Sequence, residues 1–317
     1  MTERYGLLPE ALQGAPKEFD EWSRLQLLGD QNATTPNFPL FHYTDEAGIR
    51  GILSSSKLWC FSHLHQTDRA EFAYSLDIAR EVIQELSRSD DRVTHFFALC
   101  LLDLLNNNSF TETFEFYLFS LSQHRDDPHQ WDEFGRSGSG FCLGLSPRLF
   151  QPDENELKPL ANENLFVGKV IYGEEAIRSR HNHVFAKAAE ITSRFANNNR
   201  ELVQQVKPST YLSAMAKEVI ASQLVWNCLT GKKLKYQDER EIRFLIMNLL
   251  DRFDGLRKSY DEKAYIEALV PLRVPGNVTE IIIGANAPEN AEAQINAFLS
   301  EQGYSGIPVS RSRVRAA

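Results

Sequence analysis

A chain of 317 residues with 42% apolar side chains is long enough to bury a sizeable core, as one large domain or two small ones. Its 34 basic and 43 acidic residues give a formal net charge of −9, which argues against a broad, non-specific hold on a nucleic-acid backbone. Cys60, Cys100, Cys142 and Cys228 lie far apart with no Cys-x-x-Cys pair, so neither a disulfide framework nor a zinc site is signalled.

Residues 1–38 read as a helical extension, because Phe19, Trp22, Leu25 and Leu28 recur at a spacing of three before Gly29. The acidic, polar start lacks the basic-then-apolar plan of a signal peptide, so a cytoplasmic location is expected. Leu40-Phe41 reads as a strand leading into His42-Tyr43. Thr44 then stands where a helix N-cap should be, with Asp45 and Glu46 in the first turn and Ile49, Ile52 and Leu53 at helical spacing. A histidine and an aromatic at a strand end can serve a cleft or simply pack; spacing alone leaves both open.

Leu58–Phe61 is strand-like, and residues 68–86 and 93–105 have helical periodicity. The apolar run Phe96–Leu105 is interrupted by Asp103 and is too short to span a bilayer, so no membrane partner is expected. Strands are predicted at 113–121, 140–145 and 166–172, then a long helical stretch over about 174–230, broken near Asn197–Asn199 and at Pro208. The final third returns to strands at 241–247, 265–270, 278–284 and 307–309, with a helix over 288–301. Strands follow one another without regular helical crossovers, which predicts an α+β fold with a mostly antiparallel sheet.

Three clusters carry candidate chemistry. The first is His42-Tyr43-Thr44. The second runs from Phe116-Tyr117-Leu118-Phe119-Ser120 through Asp126, Asp127 and Trp131 to Gly138-Ser139-Gly140-Phe141-Cys142-Leu143-Gly144. Its glycine-serine loop can bring backbone amides close to a phosphate, though a hairpin with a packed tryptophan gives the same pattern. In the third, Glu239, Glu241 and Arg243 share one face of an extended chain, as either a surface ion-pair ladder or a site. The pairs His63/His65 and His181/His183 lack a third ligand at a suitable spacing, so no metal is expected.

Taken in this order, the three clusters resemble the bacterial domain-of-unknown-function family 2971, over most of residues 40–315. More remotely they resemble the ADP-ribosyltransferase superfamily. The resemblance implies a split, mostly antiparallel sheet in a single domain over 39–317, with the helical stretch at 174–230 as an insertion. It implies transfer of ADP-ribose from NAD, as substrate, to an unidentified protein or nucleic acid, in a toxin or phage-defence setting. Glu241 and Glu239 would be the catalytic carboxylates. His42, Tyr43, Thr44, Tyr117, Ser120, Trp131 and Arg243 would hold NAD: His42 on the adenosine ribose, the Tyr43 backbone on the nicotinamide amide, and an aromatic such as Tyr74 or Tyr117 on the cationic ring. The alternatives are an NAD glycohydrolase with the same residues, and a non-catalytic nucleotide- or peptide-binding sensor module. On this resemblance His42, Tyr43 and the Glu239/Glu241 face line one pocket, and Glu241→Gln at an exposed site changes stability little.

Overall fold

The computed structural model describes residues 8–34, 38–63, 70–106, 114–150, 165–249 and 255–314. In chain order the elements are helix α1 (Glu10–Thr34), strand β1 (Leu40–Thr44), α2 (Glu46–Ser55), β2 (Lys57–Ser62), α3 (Ala70–Leu86), α4 (Arg92–Asn106), β3 (Phe114–Ser122), α5 (Pro128–Glu133), β4 (Phe141–Leu145), β5 (Leu165–Lys169) and β6 (Ile171–Tyr172). Beyond these come α6 (Glu174–Asn198), α7 (Arg200–Val206), α8 (Pro208–Val219), α9 (Val225–Leu229), β7 (Gly231–Lys232), β8 (Glu241–Leu249), β9 (Lys258–Tyr260), β10 (Lys263–Leu269), β11 (Val278–Ile283), α10 (Ala291–Glu301) and β12 (Val309–Arg311). The chain is mixed α/β and divides into two compact units.

One unit is helical and is assembled from residues 1–29, 67–115 and 171–234. The long helical segment expected over 174–230 is α6–α9, interrupted at Asn199 and Pro208 as the sequence predicts, and it packs against α3 and α4. A π-helical turn at Ile220–Leu224 joins α8 to α9 and carries Gln223 inward, where it accepts from Ser23 of α1 at 3.0 Å. That bond, the Trp22–His183 ring contact and the Arg194–Glu18 ion pair tie α1 to this unit. Helix α1 runs on past Gly29 to Thr34, because an exposed glycine weakens a helix without ending it.

The other unit holds a mostly antiparallel sheet in the order β12-β11-β4-β1-β3-β2-β10-β9, with β8 also pairing with β3 and β5 pairing with β8. Strand β3 therefore has three neighbours for two edges, so the sheet branches there. β1 meets β3 at Phe41↔Ser122, β2 meets it at Leu118 and Tyr117, and β1 then stays with β4 from Leu40↔Leu145 to Thr44↔Phe141. One continuous core fills a single face: Leu40, Ile49, Leu53, Leu58, Cys60, Phe119, Leu143, Ile242, Phe244, Ile266 and Ile281 all belong to it. A smaller cluster on the reverse of β1 and β4 joins Phe41, Tyr43, Trp131, Cys142 and Ile282.

Several local expectations change. Thr44 is the last residue of β1, and Asp45 is the N-cap of α2, accepting from the Gly48 amide at 2.8 Å. A carboxylate one residue further on reaches the first-turn amides, while the Thr44 hydroxyl occupies the space a Cβ on Gly48 would need, at 2.0 Å. The single strand read at 166–172 is two strands, β5 beside β8 and β6 beside β7 in the helical unit. Several amides of the Gly135–Gly140 loop are bonded locally: Gly138 donates to the carbonyls of Trp131 and Gly135, Ser139 to Arg136 and Gly140 to Gly135. Gly140 also serves close packing. A Cβ on Gly140 would lie 2.4 Å from the Thr44 carbonyl oxygen, whereas one on Gly51, mid-way along α2, meets nothing within 4 Å.

That contrast gives a paired prediction. Gly51→Ala should raise stability in chemical denaturation by about 0.5–1 kcal/mol, the helix-propensity gain. Gly140→Ala should lower it by about 1–3 kcal/mol, because backbone must move to admit a methyl group.

Candidate functional site

The alternation of β3 sorts its side chains. Tyr117, Phe119 and Leu121 enter the core, and the Leu118 and Ser120 side chains leave the other face. On that second face the exposed Ser120 donates to Glu241 Oε1 at 2.5 Å. Glu241 in turn accepts from Arg243, Nε to Oε1 at 2.9 Å and Nη2 to Oε2 at 3.0 Å, a two-point fork within one strand. Both charges are nearly buried, Glu241 at 5% exposure and Arg243 at 3%. Ile242 and Phe244 fix this orientation by filling the core from the opposite face of β8.

Beside this pair lies an aromatic platform. In β2 and β10 the residues Leu58, Cys60, Ile266 and Ala268 point to the core, which turns Trp59, Phe61 and Tyr265 to the same face as Ser120. Trp59 stacks on Tyr265 with centroids 4.4 Å apart at 22°, Phe61 lies 5.8 Å from Tyr265, and Tyr260 of β9 tilts against Trp59 at 5.4 Å. Phe61 pairs with Leu118, two residues along β3 from Ser120. Glu267 closes the far end between Lys57 at 2.7 Å and Lys258 at 2.9 Å. Hydrogen bonds from Lys258 and Lys57 hold its carboxyl below the usual range, against the opposing effect of burial.

His42 stands elsewhere. Its ring packs on Phe119 at 4.3 Å, on the core face, and its Nδ1 lies 3.1 Å from the Ser120 carbonyl oxygen. There it serves the edge of β3 that β1 leaves on diverging after Phe41↔Ser122. The expected convergence of His42 and Glu241 side chains in one pocket is therefore not found: both engage Ser120, one through its carbonyl and one through its hydroxyl, from opposite faces, which counts against the transferase pocket that the resemblance implies. Burial pushes the His42 pKa down to about 4, with the Ser120 hydrogen bond opposing in part.

The remaining candidates divide sharply. Tyr43 is buried edge-on against Trp131 at 4.9 Å, donates to the His124 carbonyl at 2.9 Å and accepts from the Asp127 amide. Trp131 is fully buried and donates to Asp126 at 2.7 Å. Both side chains brace the loop that leads from β3 to β4. The Thr44 side chain packs against Gly48 at the start of α2. Tyr117 is fully buried, with its hydroxyl accepting from Arg257 at 3.2 Å, and Tyr74 belongs to the helical unit under Lys233. Neither is a ring platform beside Glu241. Glu239 ends the 3-10 turn Leu234–Glu239, and its carbonyl accepts from Ser122 and Gln130, so Glu241 and Arg243 share the strand face without it.

His181 is buried in the helical unit, stacked on Phe185 and 3.2 Å from the Ser75 hydroxyl, while His183 contacts Trp22. They diverge along α6, and among the described residues no group of metal-ligating side chains comes together. His65 lies outside the described residues. Among the described residues no helix is long and apolar enough to cross a membrane.

Comparison with known proteins places residues 130–244 in a match to a family described as a protein of unknown function (DUF2971). The match spans Trp131, the helices α6–α9, Glu239, Glu241 and Arg243, and supports the assignment to that family over this part of the chain. It begins after His42, Tyr43, Thr44, Tyr117 and Ser120. No curated protein and no solved structure matches the chain.

Burial makes the ion pair testable by stability. Removing one partner of a buried pair strands the other, so Glu241→Gln and Arg243→Gln should each lower stability by up to about 3–5 kcal/mol, less where the amide keeps a hydrogen bond. Burial thus replaces the sequence-based expectation of a neutral change at Glu241. A double-mutant cycle in urea measures the coupling. A second prediction concerns pH. Folded His42 and His181 take up protons only near about 4 and about 3, both held down chiefly by burial, whereas unfolded histidines do so near 6.5. Stability from these groups is complete above about pH 6.5 and is lost as pH falls toward 4, because the unfolded chain binds more protons across that window. Urea midpoints at pH 7 and 5 should show the fall, and His42→Gln should reduce its slope.

Proposed function

We propose that the chain cleaves NAD at the nicotinamide ribose and transfers ADP-ribose to a macromolecule, on a split, mostly antiparallel sheet such as the resemblance to ADP-ribosyltransferases implies. One observation carries this reading: the Ser120–Glu241–Arg243 chain lies on the same sheet face as the aromatic platform of Trp59, Phe61 and Tyr265. Departure of nicotinamide leaves an oxocarbenium-like ribose carbon, which an adjacent carboxylate stabilises, as in glycoside cleavage. The bond between that carbon and the ring nitrogen breaks with its electron pair on nicotinamide, and an acceptor nucleophile then adds to the carbon and loses a proton. Arg243 fixes the Glu241 carboxylate through its two hydrogen bonds. Ser120, exposed and donating to Oε1, orients the carboxylate toward the ribose. A planar cationic ring suits the platform. His42 acts here as a positioning residue, holding the Ser120 backbone from the core side.

A second reading rests on the near-complete burial of Glu241 and its neutralisation by Arg243. Those features equally suit a non-catalytic module that binds a nucleotide through ring stacking and uses the ion pair as its floor. Water in place of a macromolecular acceptor would make the protein an NAD glycohydrolase.

Incubation with adenylate-labelled NAD and cell extract separates the three. Labelled macromolecule with matching nicotinamide release is the expected result. Release without labelling assigns the glycohydrolase, and saturable binding without release assigns the module. Ser120→Ala, an exposed change, should lower turnover by about one to two powers of ten while leaving the fold intact. Unchanged turnover in that variant would remove Ser120 from the site, and unchanged turnover per folded molecule in Glu241→Gln would remove Glu241 from the chemistry.

A further inference from the structure

The helical unit contains a cavity of about 880 Å³ between α4, the end of α6, α7 and the start of α8. That volume lies within the range of small-molecule sites. All of its lining belongs to this unit. Its apolar wall includes Val93, Phe96, Leu99, Val203 and Leu212, and the large side chains Phe96 and Leu99 are 42% and 41% exposed there. Apolar surface of that size held open to water favours an apolar occupant.

The charged residues of the lining narrow the ligand. Asp91 is committed to α4, accepting from the Thr94 amide at 3.0 Å and from its hydroxyl at 2.6 Å. Asp103 brings a second negative charge. Arg92 lies over the Phe96 ring at 5.7 Å and Arg200 donates to Asn197 at 3.2 Å, and among the described residues neither guanidinium is held in an ion pair. Two guanidinium groups next to an aliphatic wall suit one negative charge on an apolar body. The two aspartates oppose a polyanion such as a nucleotide.

We propose that this cavity binds an amphipathic monoanion, an apolar chain ending in a carboxylate, with Arg92 and Arg200 taking the carboxylate and Phe96 and Leu99 covering the chain. Cys100 supplies a native reporter. It lines the cavity together with Ser213, and it is half-buried while Cys60, Cys142 and Cys228 are buried.

The test is protection of Cys100 from N-ethylmaleimide in the full chain, read by peptide mass spectrometry with decanoate, decanol and decyltrimethylammonium as probes. Decanoate should slow Cys100 labelling saturably, with the other two weaker by about tenfold or more, the value of one charge-assisted hydrogen bond. Arg92→Gln combined with Arg200→Gln should erase decanoate's advantage and leave decanol unchanged. Leu99→Asp should abolish protection by all three, with a far-ultraviolet spectrum confirming the fold in each case. No protection by decanoate up to its solubility, equal protection by all three probes, or unaltered selectivity in the double variant would each overturn the proposal.

Discussion

Strand β3 carries three partners on two edges, and the layout of the sheet unit depends on that constraint. Where β1 turns away toward β4, the Ser120 carbonyl passes to the imidazole of His42. On the reverse face the Ser120 hydroxyl reaches the Glu241 carboxylate. The imidazole thus supplies the hydrogen-bond partner that the Ser120 carbonyl loses where β1 departs. Burial accordingly keeps His42 neutral well below the ordinary histidine range. A neutral ring with Nδ1 as donor is the form that satisfies a carbonyl.

The Glu241–Arg243 pair extends the same logic. Buried ion pairs contribute little net stability relative to apolar replacements, because desolvation offsets most of the attraction. On the proposed reading, a nearly buried pair beneath an exposed serine, in a strand otherwise occupied with core packing by Ile242, Phe244 and Ile246, is retained for the role proposed for the carboxylate. The neighbouring platform strengthens that view, since Trp59 and Phe61 are only half-buried although the core face of the same strand is filled. On the proposed reading these partly open rings are the surface that meets the ligand.

Much of the element pattern was legible, for local reasons. The breaks at Asn197–Asn199 and Pro208, the apolar periodicity of Ala70–Leu86 and the β-branched runs of Glu241–Leu249 and Val278–Ile283 are written in short windows of sequence. What sequence could not supply was pairing. Alternation in Lys57–Ser62 and Lys263–Leu269 marks Trp59, Phe61 and Tyr265 as one-sided, but only the ladder Tyr265↔Phe61↔Leu118 brings them beside Ser120. Likewise Glu241 and Arg243 share a face by alternation alone, whereas their burial depends on β3, far away in sequence. The same limit explains Tyr43 and Trp131, whose contact with each other braces a loop, and the helical unit, whose three segments are contiguous only in space.

On the proposed reading, NAD binds on the face shared by Trp59, Tyr265 and Glu241. Titration with a non-hydrolysable carba-NAD, read by quenching of tryptophan fluorescence, tests it most directly. Saturable quenching that disappears in Trp59→Leu and weakens in Ser120→Ala is the outcome expected of that face. Saturable quenching that survives Trp59→Leu unchanged, or none at millimolar ligand, would contradict it.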